Sequence, residues 1–404
     1  MAKAPPAPPP TVKEVFGVLE SVIDPELGDN IVALGMVPSV EVTKTGVVTV
    51  EIKLTIKGCP LRAEIKKEIE TRVNLHPGVT GIKITWGEMN ADERSEVMTK
   101  ARWNARSTAP DTEVPSSCQV LAIASGKGGV GKSSVTVNLA AAIAAKGHTV
   151  GVLDADIWGF SIPRLLGITD RMEAQPISGS DRPKIIPNER VVGSGVLKVV
   201  STGFLVEEDT ALMWRGLMLT KAVEQFLRDV HWGDLDYLLI DMPPGTGDVQ
   251  MGLARMLPRT DLIVVTTPAL AAQKVAQRAA DMAQRSFLKV VGVVENMSAF
   301  ECAHGESYAL FGEGGGEALA TAINAPLLGQ IPLESAVAAG GDAGDPVTLE
   351  GSSPAAIEFR SIANRIVAEV APPTLPNDIE MTGCSARLLD TVNDAFAKLD
   401  SVPE

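Results

Sequence analysis

Val48, Val50, Ile52 and Leu54 alternate with Thr49, Glu51, Lys53 and Thr55, a period of two that predicts a half-buried strand. Before it, a helix is predicted around Val12 to Val22, followed by a turn at Asp24-Pro25-Glu26. After it, Leu61 to Leu75 spaces Ile65 and Ile69 four apart among charges, as an amphipathic helix does, and Ile82, Ile84 and Trp86 alternate again. These elements close a small α+β domain over residues 11–90. Residues 1–10 are Pro-rich with little to bury and read as a disordered or polyproline leader. Residues 91–117 carry charges, Ser, Thr and two prolines without an apolar period, and read as a linker.

From residue 118 to 370 the pattern changes to short, continuous apolar runs separated by helical stretches. The runs are Val120–Ala124, Thr149–Asp156, Asp236–Pro243, Asp261–Pro268, Leu288–Asn296 and Leu327–Pro332; helices are predicted over Ser133 to Lys146 and Ala271 to Gln284. Strands apolar on both faces and joined by helices predict an α/β domain built on a parallel sheet. Residues 371–404 open on Pro372-Pro373 and end in a short amphipathic segment of mixed charge, Ala386 to Leu399, read as a peripheral helix.

Composition narrows the function. The chain has 404 residues, with 36 Lys+Arg against 50 Asp+Glu and a formal net charge of −14. That balance repels phosphate backbones and anionic lipid, so neither nucleic acid nor a membrane surface is an expected partner. Every apolar run stops short of the roughly 20 residues that span a bilayer. The N-terminus lacks the apolar core of a secretion signal, so a cytoplasmic protein is expected. Four scattered cysteines, Cys59, Cys118, Cys302 and Cys384, suit buried thiols or metal ligands rather than a disulfide framework.

The strongest chemical signal is Gly126-Lys127-Gly128-Gly129-Val130-Gly131-Lys132-Ser133, between a predicted strand and a predicted helix. This is a phosphate loop in the context it requires. Glycines let successive N–H groups and the helix N-terminus face an anion; Lys132 is placed to reach the β and γ phosphates of ATP and Ser133 to bind Mg²⁺. Asp154 and Asp156 end one strand, where two carboxylates can hold the metal or orient an attacking water. Asp241 ends another and suits Mg²⁺, through water, while Gly245 can offer an N–H to the γ-phosphate.

The second lysine in the loop, Lys127, resembles that of the deviant Walker A ATPases, which include the nitrogenase iron protein, division-site and partitioning ATPases, and the Mrp-type iron–sulfur carriers. The resemblance implies that Lys127 reaches the partner's nucleotide in a homodimer. It also makes Asp154 and Asp156 the first switch and Asn296 the adenine contact. Gly126 to Ser133, Asp154 to Gly167, Met213 to Met218, Asp241 to Gln250, and Val294 to Ser298 followed by Phe311 to Gly316 resemble the Mrp-type branch in particular, with Phe160 standing where that branch commonly has Pro. Asp24-Pro25-Glu26-Leu27, Leu34-Gly35 and Thr55 to Pro60 resemble the MIP18-type domain of iron–sulfur assembly factors. Together these imply an ATP-dependent carrier that holds an iron–sulfur cluster at a dimer interface, receives it from assembly factors and passes it to apoprotein clients.

One stretch departs from that pattern. Where the branch has Cys-x-x-Cys, this chain has Glu301-Cys302-Ala303-His304-Gly305-Glu306, so two subunits offer two thiolates unless His304, Cys384 or an external thiol completes the set. Cys59, before Pro60 at a predicted helix mouth, could relay iron or simply fill a turn; Cys118 is expected to be buried. Two alternatives to the carrier stay open: an ATP-dependent adaptor or assembly chaperone without a stable cluster, and a positioning ATPase. With no dedicated base evident, hydrolysis is expected to be slow.

Overall fold

The computed structural model describes residues 8–373 except 25–26, 28, 56–61, 91, 95, 101–109, 158, 178–179, 181, 205–215, 246, 287, 303, 305 and 350. Cys59, Cys384, residues 213–215 of the 213–218 stretch and the amphipathic tail segment therefore lie outside the described residues. The chain divides into two compact units, Met1–Ala109 and Pro110–Glu404.

In the first unit the helix Val12–Leu19 starts with a reciprocal cap. The Glu14 N–H donates to the Thr11 hydroxyl at 3.3 Å and the Thr11 N–H donates to the Glu14 carboxylate at 2.7 Å. Three strands, β1 (Ser39–Val42), β2 (Val47–Leu54) and β3 (Gly81–Glu88), form a sheet in that order, β1 antiparallel and β3 parallel to β2. The parallel pair needs a crossover, which the helix Arg62–Asn74 supplies while burying Ile65, Ile69 and Val73. Val48, Val50, Ile52 and Leu54 are the buried face of β2, as their alternation predicts. Residues 92–94 and 96–100, read as linker from sequence, are helical, and Val97 turns inward to a buried position.

The second unit is built on eight strands: β4 (Gln119–Ser125), β5 (Thr149–Asp154), β8 (Asn188–Val192), β9 (Gly195–Ser201), β10 (Tyr237–Asp241), β11 (Asp261–Thr266), β12 (Lys289–Asn296) and β15 (Leu327–Ile331). Their order is β15-β12-β11-β4-β10-β5-β9-β8. The sheet is parallel, as its apolar runs predict, except that β8 turns back antiparallel on β9 through Gly193, at φ +60°. Two short ribbons stand apart, β6 (Glu173–Gln175) with β7 (Lys184–Ile186), and β13 (Phe300–Glu301) with β14 (Ser307–Tyr308). The helix Lys132–Ala144 is buried almost all round, which its alanine-rich sequence permits, and packs against the sheet and the helix Pro354–Arg365. Trp232, Tyr237 and Phe359 are the bulkiest fully buried side chains of this unit. Val114 and Cys118 join the same core, so the end of the expected linker is structural.

β4 is central. The chain leaves it for β5 on one side of the sheet and later fills β11, β12 and β15 on the other, and the crevice for ligands in such sheets opens at the carboxyl ends where the direction reverses. No helix among the described residues is long and apolar enough to cross a membrane.

Candidate nucleotide site and thiol ribbon

The loop after β4 occupies that reversal. Gly129 and Gly131 take φ +78° and +79°, a region costly to other residues, and so turn the chain into the helix that opens at Lys132. Gly126 has no room for a side chain: a Cβ there would stand 2.2 Å from the Ala276 nitrogen. A Cβ on Gly131 would stand 2.3 Å from Asn296 Nδ2. The Ser125 hydroxyl donates to the Lys127 carbonyl at 3.0 Å, and Lys127 itself is exposed, as are Gly128 and Gly129.

Lys132 lies inside, with its side chain only 6% exposed and its ammonium 2.7 Å from Asp241 and 3.9 Å from Asp156. The Ser133 hydroxyl donates to Asp241 Oδ2 at 2.5 Å, and Thr136 Oγ1 sits 2.8 Å from Asp241 Oδ1. Sheet register explains why Asp241 and Asp154 meet: they are direct partners on β10 and β5, and Ser201 of β9 is the next partner in the row. Asp154 is fully buried, accepting from the Ser201 hydroxyl at 3.0 Å and from the Asp156 N–H at 3.2 Å. Burial, reinforced by the charge of Asp241, pushes the Asp154 carboxyl well above the carboxylate range. Asp156 is different: its side chain keeps 14% exposure, and burial also raises its pKa, with the Lys132 ammonium opposing. Of the two candidates left open by the sequence, Asp156 is the partly exposed one, beside the Lys132 ammonium, and Asp154 is fully enclosed.

Asn296, at the end of β12, donates its amide to the Val130 carbonyl at 2.9 Å and so clasps the loop. Met297 follows at φ +56°, in the left-handed region. The Gly245 N–H, expected to face the γ-phosphate, is engaged with the Ser125 carbonyl at 3.0 Å in this conformation. Two partners escaped the sequence reading. Thr136 is reachable in retrospect, because it lies one helical turn beyond Ser133. Ser201 carried no signal, since only the β5–β9 pairing brings it to Asp154.

Cys302 and His304 come together between the two strands of the β13–β14 ribbon. Cys302 Sγ and His304 Nδ1 are 4.0 Å apart, and the Cys302 N–H donates to the Glu306 carbonyl at 2.9 Å. His304 is exposed and Cys302 half-buried. Among the described residues no group of three or more His, Cys, Asp and Glu could hold a metal ion. Cys118 is buried as expected, which pushes its thiol up to about 12.

Residues 117–367 match the model of the NUBPL iron-transfer P-loop NTPases, and residues 13–84 that of an iron–sulfur cluster assembly protein domain. An iron–sulfur cluster carrier protein of Mycobacterium tuberculosis is 46% identical over 354 residues, spanning 86% of this chain and 90% of the relative. That of Synechocystis is 39% identical over 369 residues, spanning 90% and 99%. A solved nucleotide-binding protein of Archaeoglobus fulgidus in complex with ADP is 37% identical, covering 56% of this chain and 87% of its own, with a TM-score of 0.48. On the family model and the two carrier relatives, which span 86% and 90% of the chain, the protein belongs to the NUBPL-type iron-transfer P-loop NTPases, the family of the iron–sulfur cluster carrier proteins.

Proposed function

We propose that the chain is an ATP-binding and slowly ATP-hydrolysing carrier of iron–sulfur clusters, acting in the cytoplasm as a homodimer that loads from assembly factors and delivers to apoproteins. The observation that carries the nucleotide half is the convergence of Lys132, Ser133, Asp241 and Asp156 at the mouth of β4, β5 and β10. Family membership carries the cluster half.

The loop N–H groups and Lys132 bind the phosphates. On arrival of a polyphosphate the Lys132 ammonium exchanges its carboxylate partners for phosphate oxygens, so the ion pairs seen here hold it in place for that exchange. Ser133 and Asp241 form an all-oxygen donor set of the kind Mg²⁺ prefers, and Ser133, with Asp241 through water, would hold the ion. An ion held there would supply charge neutralisation to the phosphates. Asp156 orients the attacking water, and Asp154 fixes Asp156 by accepting its N–H. Gly245 reaches the γ-phosphate after its N–H leaves the Ser125 carbonyl, an opening that suits slow turnover. Asn296 takes the adenine end. Lys127, free of the interior, extends to the nucleotide of the second subunit.

The test is steady-state ATP hydrolysis together with iron transfer from reconstituted protein to an apoprotein acceptor. Hydrolysis and transfer both lost in Lys132→Ala is the expected result; Lys127→Ala hydrolysing at the normal rate overturns the cross-dimer role. A second reading, an ATP-dependent adaptor without a stable cluster, is favoured by the single cysteine at residues 301–306. It predicts hydrolysis with no iron delivered.

A further inference from the structure

The geometry points to a mixed thiolate–imidazole site: Cys302 and His304 of two copies together bind a [2Fe–2S] cluster, each copy closing one iron with one sulfur and one nitrogen. The inference rests on the carrier reading and specifies its cargo. A tetrahedral metal holding a thiolate at about 2.3 Å and an imidazole at about 2.0 Å separates the donor atoms by roughly 3.5 Å. Cys302 Sγ and His304 Nδ1 stand 4.0 Å apart, so a small side-chain rotation brings both onto one metal. The ribbon fixes the spacing: Phe300 pairs with Tyr308 and Glu301 with Ser307, and the Cys302 N–H closes the turn on the Glu306 carbonyl.

Two ligands cannot complete a cluster, and the described residues offer no third donor to form a group with them. A second copy related by a two-fold axis supplies the missing pair, since in such a contact each surface meets itself. The surface beside the pair suits that contact. Phe300 and Tyr308 are exposed partners on the ribbon, with exposed Leu310 and Phe311 just beyond, an apolar strip next to two metal ligands. Closing two strips over a cluster removes them from water and lowers solvent access to the iron. Two imidazoles in place of two thiolates also make the cluster less negative and raise its reduction potential, as in Rieske centres.

Anaerobic reconstitution of the full chain with ferric iron and sulfide tests this on wild type, Cys302→Ala, His304→Ala, His304→Cys, Cys59→Ala and Cys384→Ala, with circular dichroism melts to verify folding. The expected result is about two iron and two sulfide per dimer in wild type, lost in Cys302→Ala and in His304→Ala. Pulsed EPR of the reduced protein should show nitrogen coupling from imidazole. His304→Cys should bind a cluster without that coupling and at a lower potential. Wild-type spectra in His304→Ala, or cluster loss confined to Cys59→Ala or Cys384→Ala, would overturn the site while leaving a carrier. Failure of every protein, wild type and His304→Cys included, to retain iron would overturn the carrier reading itself.

Discussion

At the scale of single residues, the site separates two carboxylates of similar sequence context by burial. Asp156→Asn should leave ATP binding intact and lower kcat by about 10²–10⁴-fold, the range of a lost proton-handling group, in a phosphate-release assay. Asp154 has a stability signature instead. Because burial raises its pKa, the folded chain holds this proton more tightly than the unfolded chain, so its contribution falls as pH rises from the ordinary carboxylate range through the raised value. Asp154→Asn should therefore melt higher than wild type at pH 7.5, and the gain should shrink as pH falls through the ordinary carboxylate range, vanishing below about pH 3, where the wild-type group is mostly neutral in both states. Thiols divide in the same way. At pH 8, iodoacetamide should modify Cys302 and spare Cys118, whose thiol is held at about 12, until denaturant is added; peptide mapping reads this. The loop lysines and the aspartates were legible because their chemistry is written in consecutive residues. Ser201 was not, because nothing local distinguishes a strand-end serine that will meet a carboxylate 47 positions away.

Among elements, the phosphate loop is held from two sides, by the helix Leu270–Arg285 behind Gly126 and by the end of β12 against Gly131. Gly131→Ala adds a left-handed alanine, costing about 1–2 kcal/mol, and also displaces Asn296. It should abolish ATP binding in isothermal titration while the chain stays folded by circular dichroism. The core strands β4, β10, β11 and β12 could be read from their apolar runs. The short strands β6 and β7 could not: Glu173–Gln175 is exposed throughout and has no face to pattern. Helical residues 96–100 were missed because one buried valine, Val97, does not make a period.

For the whole molecule, each unit closes a core of its own, around Ile52, Ile65 and Ile69 in the first and around Leu121, Ile123 and Phe359 in the second. Scanning calorimetry with Mg–ADP at 100 times its Kd should stabilise the second unit by about 2.7 kcal/mol, moving one melting transition and leaving the other. A single transition shifted as a whole would show that the units melt together. One feature of the second unit reaches further. Ser201, Asp154, Asp241 and Ile123 occupy a single row across β9, β5, β10 and β4. A deletion of one residue inside any of these strands moves that strand out of phase and sends its side chains to the opposite face. The connections can thus change length without disturbing this row, whereas these strands cannot, and the row behaves as a single frame rather than as separate residues.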